Sequence, residues 1–314
     1  MLYTSIPNLR PGMVIAEKIV SADGRVLLAP DITLTSTNIA WLKSHKLSSV
    51  YIKNSCYTST PMFSHQALAA TKQAMSALVK NKLDSEGETR TIHFDNTRKM
   101  ESIADVIMRN PIVLLHLTDI YNYDYPTFVH SVNVFLLSIM MGIKMGYTRS
   151  NMWELALGSI LHDLGKVLVT PGILNKQERL DPDEWVMIQG HVMAGFEILR
   201  SHSKYIPLEA ALIALHHHEN YDGSGYTKGI VGARIHEYAA ITAVADVYDA
   251  ISTDRSYRPG MSLYEAYQFM INARGVRLNP DIVDLFLKNI APYPFRHAVK
   301  RYPLVCCTIH NNLT

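Results

Sequence analysis

From residue 130 onward this sequence places histidines and aspartates where they could bind metal: His130, His162-Asp163, His191, His217-His218 and Asp246. Neutral imidazoles and carboxylates suit first-row divalent ions, and no cysteine lies among them. These ligands are more than one ion needs. They fit a pair of ions that share a bridging hydroxide and clamp the attacking and leaving oxygens of a phosphoester. Each residue alone is a weak signal. A lone histidine is more often a core or surface residue than a ligand, and the His216-His217-His218 run could be an exposed polar patch.

The elements that must hold these residues read as helices. From about residue 97 to nearly 290, apolar residues recur at three and four, as in Ile103-Val106-Ile107 and Val132-Leu136-Leu137, and strand-like alternation is scarce. The first 55 or so residues differ. Gly12–Ala16, Arg25–Ala29 and Ser49–Ile52 read as short strands, and Thr35 or Ser36 as the cap of a helix carrying Ile39 and Leu42. Between the two regions, Ser64–Leu83 has helical spacing and the polar stretch Asp84–Thr91 reads as a linker. The fold class expected is mainly α: a helical bundle preceded by a small α+β domain. Its boundaries are 1–63 for that domain, 64–96 for a helical linker, 97–291 for the bundle and 292–314 for a C-terminal tail. No internal repeat or low-complexity run interrupts this order.

Composition narrows the function. The chain has 314 residues, 48% hydrophobic and 18% charged, as expected of a globular protein. A net charge of +2 gives no basic excess for long nucleic acid, though a small anion needs only a few local cations. Three cysteines, Cys56, Cys306 and Cys307, form no disulfide framework and no CxxC pair, which fits a reducing cytoplasm. The N-terminus lacks the pattern of a signal peptide. The most apolar stretch, Val129–Ile143, reads as too short and too polar to span a bilayer.

Three blocks then converge: Leu161-His-Asp-Leu-Gly-Lys166, His216-His-His-Glu-Asn-Tyr-Asp-Gly-Ser-Gly-Tyr226 and Ala245-Asp-Val-Tyr-Asp-Ala250. With His130-Ser-Val-Asn-Val, Ile173-Leu-Asn-Lys176 and Asp254-Arg-Ser-Tyr-Arg258, they resemble the HD-GYP family of bacterial signalling phosphodiesterases over residues 120 to 290. That resemblance implies a helical, metal-dependent hydrolase that opens cyclic di-GMP to linear pGpG and on to GMP. It implies His130, His162, Asp163, His191, His217, His218 and Asp246 as metal ligands, with Asp163 bridging. His191, His217 and His218 would complete one ion's shell, and His130 with Asp246 the other's. Lys166 would act with Asp163 in catalysis, while Arg255, Arg258, Tyr226 and Gly225 would meet the substrate. Two divalent transition-metal ions, Fe or Mn, are the cofactors implied, with no organic cofactor. Leu9-Arg-Pro-Gly-Met13 and Ser49-Val-Tyr-Ile52 resemble a small domain often found ahead of HD-GYP domains, which suggests a homodimer or other signalling proteins as partners.

The sequence also departs from the family pattern. Thr227 stands where the signature has proline, Val192 replaces the proline often found after His191, and Pro126 replaces a glutamate that binds a third metal in some members. The expectation is therefore two ions. Two other readings share the same ligand set: a catalytically silent cyclic-dinucleotide sensor, and a phosphodiesterase that prefers 3′,3′-cyclic GMP-AMP.

Overall fold

The structure, a computed structural model, describes residues 2–10, 13–20, 26–32, 34, 39, 42–43, 49–53, 65–88, 94–254 and 260–289. Four short strands come first: β1 (Leu2–Ser5), β2 (Ile19–Val20), β3 (Val26–Leu28) and β4 (Ser49–Ile52). β1 pairs antiparallel with β4, and β2 with β3. Ile6, Ile15, Leu34, Ile39, Leu42, Val50 and Ile52 bury together beneath them. The strands expected at residues 25–29 and 49–52 form. Of the strand expected at 12–16, the described residues 13–16 form a bridge on β4, Ile15 to Ile52, with the Ala16 N–H donating to the Tyr51 carbonyl at 2.8 Å and the Lys53 N–H to the Val14 carbonyl at 2.7 Å. The expected cap at Thr35 or Ser36 lies outside the described residues.

Among the described residues eleven α-helices follow: α1 (His65–Glu88), α2 (Phe94–Arg109), α3 (Pro111–Tyr123), α4 (Tyr125–Lys144), α5 (Arg149–Ile160), α6 (Pro171–Leu174), α7 (Pro182–Ser201), α8 (Leu208–His216), α9 (Glu237–Ser252), α10 (Leu263–Ala273) and α11 (Pro280–Asn289). Asp84–Glu88, expected to be a polar linker, is helical and continues α1. Glutamate is a good helix former, so polarity there did not signal an end. Met75, Val79 and Leu83 of α1 enter the same core as the later helices.

Local chemistry fixes where the helices start. Asn110 caps α3 by accepting from the backbone N–H groups of Ile112 and Val113 at 3.0 and 3.3 Å, with Pro111 in the first turn. Asp124 caps α4, accepting from the Thr127 N–H at 2.9 Å and its hydroxyl at 2.6 Å. Pro126 sits in the first turn of α4, where its missing N–H costs nothing. Asp181 and Glu184 form a reciprocal capping box on α7.

Helix α4 is the central element, packed on α5 and α9, while α5 and α7 both pack on α8. Phe128, Val132, Phe135 and Ile139 of α4 are fully buried. By length and composition alone α4 could cross a membrane, contrary to the expectation from residues 129–143. Yet 67% of its apolar window is buried within the bundle. Its apolar faces are used up by other helices.

Candidate metal centre

All seven expected ligands converge. Asp163, His191, His217 and His218 offer ligand atoms within 4.8 Å of one another, as do His130, His162 and Asp246. Five separate segments supply them. His130 comes from the second turn of α4, His191 from the middle of α7 and Asp246 from α9. His217 caps the C-terminus of α8, with His218 in the turn beyond. His162 and Asp163 lie in the turn between α5 and a 3₁₀ segment, Leu164–Leu168.

One interaction per ring fixes how each imidazole faces the centre. Nδ1 of His162 lies 2.8 Å from the Ser159 carbonyl, that of His191 2.6 Å from the Ile188 carbonyl, and that of His217 3.0 Å from the Ala214 carbonyl. A carbonyl only accepts, so each Nδ1 carries the proton and each Nε2 keeps its lone pair for the centre. His130 follows the same logic with a carboxylate: its Nδ1 donates to Asp249 at 2.7 Å. Asp249 was not among the residues singled out from sequence. It falls three positions after Asp246, on the same face of α9, and that spacing is the signal that could have found it.

The lone pairs converge without protons between them. His191 Nε2 and His217 Nε2 are 3.5 Å apart with both facing nitrogens unprotonated. That is close to the ligand-to-ligand edge of a tetrahedron with bonds of about 2.1 Å. His162 Nε2 and Asp163 Oδ1 are buried with no hydrogen-bond partner. A buried acceptor left in this state is costly, so the site calls for a cation. The donor set fits a pair of divalent ions.

Asp163 lies between the two groups. Its Oδ1 is 3.3 Å from His191 Nε2 and 3.8 Å from His217 Nε2, whereas its Oδ2 is 3.3 Å from His162 Nε2 and 3.8 Å from His130 Nε2. Each carboxylate oxygen therefore faces one ligand group. Lys166 Nζ sits 2.6 Å from Oδ2. Burial works against ionising Asp163, but Lys166 and His162 outweigh it and hold the carboxyl well below its ordinary range. Burial pushes His218 down to about 3 and His217 well below its usual value, keeping both in the neutral form that ligates. His130 goes the other way. Burial lowers it, yet Asp246 at 2.9 Å and Asp249 together lift it to about 9. Between His130 and Asp246 a positive charge is required, whether a proton or a metal ion.

The loop after His218 closes one side. The buried Glu219 carboxylate accepts from the Lys228 and Ile230 N–H groups at 2.6 and 3.0 Å and folds the loop back. Gly223 has φ +85°, as expected of a tight turn. Gly225 serves differently: a Cβ there would fall 2.2 Å from Asn220 N and 2.4 Å from His218 O, so it permits close approach rather than an unusual φ. This pins Tyr226 against His218, ring centroids 4.9 Å apart. Trp185 of α7 meets Tyr226 edge-on at 6.2 Å and extends an aromatic wall outward from the centre. Sequence reading did not find Trp185. Arg255 and Arg258 lie outside the described residues.

Residues 116–282 match the family described as HD domain, more than half of the 314-residue chain. The chain belongs to the HD domain family. The His162-Asp163 dyad and the Gly225-Tyr226 loop are the features by which the sequence resembles HD-GYP members of that family. This HD domain chain is 33% identical over 195 residues to a cyclic di-GMP phosphodiesterase of Pseudomonas aeruginosa, covering 62% of this chain and 47% of that one. It is 38% identical over 131 residues to the 3′3′-cGAMP-specific phosphodiesterase 2 of Vibrio cholerae, covering 42% of this chain and 25% of that one. The HD domain chain thus spans about half the length, or less, of these relatives. Among solved structures it is similar to an HDG"Y"P protein from Bdellovibrio bacteriovorus, with 19% identity, 91% of this chain and 98% of that chain covered, and a TM-score of 0.47.

The Asp249–His130 bond carries a prediction. Carboxylates behind ligating histidines typically govern metal affinity by about 10–100-fold. Asp249→Asn is expected to weaken the second metal-binding step by that factor while leaving the circular dichroism spectrum unchanged. Unaltered affinity for both ions would show that Asp249 is not needed to orient His130.

Proposed function

We propose that the chain is a metal-dependent phosphodiesterase that hydrolyses cyclic di-GMP to linear pGpG and on to GMP. The observation that carries this reading is the pair of ligand groups sharing Asp163, with Lys166 on the same carboxylate. Two divalent ions bound there would lower the pKa of water and offset charge on phosphoryl oxygens. His191, His217 and His218 hold one ion and His130, His162 and Asp246 the other, with Asp163 common to both. The nitrogen and oxygen ligands suit Fe or Mn better than Ca.

The chain's own groups account for the rest of the reaction. The Lys166 ammonium neutralises charge that builds on the scissile phosphate. Tyr226 and Trp185 offer ring faces and edges to a guanine, and burial raises the Tyr226 hydroxyl so that it stays a neutral donor. Gly225 lets the loop press Tyr226 against His218. Arg255 and Arg258 are proposed to hold the other phosphate of the dinucleotide through their guanidinium forks. Three cysteines in no framework accord with a cytoplasmic location. The small N-terminal domain is proposed to serve dimerisation or regulation, with the boundaries given above.

The 3′3′-cGAMP-specific relative from Vibrio cholerae keeps a second substrate in view: 3′,3′-cyclic GMP-AMP. The test is anaerobic incubation of metal-loaded protein with each dinucleotide in ¹⁸O-labelled water. Linear dinucleotide carrying one label on its new terminal phosphate supports hydrolysis, and the relative kcat/KM ranks the substrates. Stable binding of two ions without turnover of either would favour a silent sensor.

The aromatic wall gives a further expectation. Base stacking on an aromatic side chain is worth about 1–3 kcal/mol by alanine substitution. Trp185→Ala should therefore raise KM by about 5–100-fold with metal content unchanged, and Trp185→Phe should restore most of the loss. An unchanged KM would remove Trp185 from the substrate site.

A further inference from the structure

A second concave site lies at the far end of α4, where α2 crosses the turn into α5. It is a cavity of about 990 Å³. This is at the upper end of the roughly 300–1,000 Å³ range of small-ligand pockets. Ile143 in its wall lies thirteen residues along α4 from His130, roughly 20 Å at 1.5 Å per residue. The two sites are therefore separate.

The lining has a definite chemistry. Arg98 and Lys99 of α2 and Arg149 of α5 contribute positive charge, and among the described residues no Asp or Glu lines the cavity. Two half-buried aromatic side chains, Tyr147 and Trp153, stand among these cations. Glu237 accepts from the Tyr147 hydroxyl, which fixes that ring, and Glu154 accepts from the Tyr238 hydroxyl at 3.2 Å. Among the described residues no His, Cys, Asp or Glu lines the space. It is built to bind and not to react.

We propose that this cavity is a second binding site, for a nucleotide bearing at least one phosphate. Clustered guanidinium and ammonium groups match phosphate oxygens. Aromatic rings stack on any base, and the apolar Ile103, Ile143 and Met152 also line the cavity. An acidic peptide would use the cations but not the paired aromatic rings. The site does not depend on the phosphodiesterase reading, because none of its residues touches the metal centre.

The experiment is calorimetric titration of the metal-loaded full chain with GMP, guanosine, inorganic phosphate and a short poly-glutamate peptide. A GMP-binding event is expected that weakens at least tenfold in Arg98→Glu/Arg149→Glu and at least fivefold in Trp153→Ala. Trp153→Phe should retain it, and metal content should not change. An event that persists in the double variant belongs to the metal centre. In the wild-type chain, GMP should slow backbone hydrogen exchange across residues 98–106 and 146–153, a readout that requires no variant. Phosphate or poly-glutamate binding as tightly as GMP, equal binding by the double variant, or no protection of those segments would overturn the assignment. None of these outcomes depends on turnover, so a failed phosphodiesterase assay and a failed nucleotide site remain distinguishable.

Discussion

Asp163→Ala is expected to lower bound metal from two equivalents to less than one and turnover by at least about 10³-fold. Each Asp163 oxygen faces a different ligand group, so removing the carboxylate takes a ligand from both ions at once. It also leaves Lys166 without the partner it meets at 2.6 Å. Metal ions supply several kcal/mol of transition-state charge stabilisation, and each 1.36 kcal/mol is a factor of ten in rate. The neutral histidines that remain cannot offset the charge of two divalent ions once the carboxylate is gone, so added metal should not restore the variant. Elemental analysis after desalting, with turnover on the same sample, checks both effects. A variant that keeps two ions and wild-type kcat would contradict the shared-ligand arrangement.

Gly165→Ala is expected to be nearly as damaging, although Gly165 ligates nothing. A Cβ at this position would lie 1.9 Å from the His191 carbonyl oxygen and 2.6 Å from the Gly195 amide nitrogen. These are backbone atoms of α7 and cannot swing aside as a flexible side chain would. The segment carrying Asp163 and Lys166 must then move away from the helix carrying His191. Overpacking of this kind costs about 1–3 kcal/mol of stability, occasionally more. Displacements near 1 Å at a catalytic site can cost about 10²-fold in rate. The variant should therefore melt several degrees lower and lose both metal affinity and kcat. A melting temperature and metal affinity equal to those of the wild type would show that the two segments can separate without consequence.

The contrast between Asp163 and Gly165 shows what can be read from the chain alone. Metal chemistry restricts residue type, so His130, His162, Asp163, His191, His217, His218 and Asp246 were legible as a set, and the structure gathers all seven. Steric closeness leaves no such trace. Gly165 looks like any glycine until α7 is placed beside it, and Gly225 reads as a turn former when its task is close approach. Asp249 and Trp185 were harder still. A carboxylate on a helix is ordinarily solvated, and only the position of His130 across from α9 gives Asp249 its role. Trp185 matters because Tyr226, forty-one positions later, is folded against it.

The fold shows the same division. Helical periodicity located the bundle from residue 97, and the structure begins the corresponding helix at Phe94. Strand β1 was not anticipated because Leu2–Ser5 has little alternation, and its partner β4 lies more than forty residues away. Such non-local pairing is decided by register and burial rather than by local propensity. The second cavity was invisible for a related reason: α2, the end of α4 and the start of α5 each contribute only a few unremarkable residues to it.

The most direct test of the central claim is an anaerobic titration of metal-free protein with Mn²⁺ or Fe²⁺, following cyclic di-GMP hydrolysis against metal equivalents bound. The shared Asp163 and the two ligand groups predict little turnover at one equivalent, a steep rise as the second ion binds and a plateau at two. Full activity at one equivalent, or hydrolysis without bound metal, would contradict a binuclear centre.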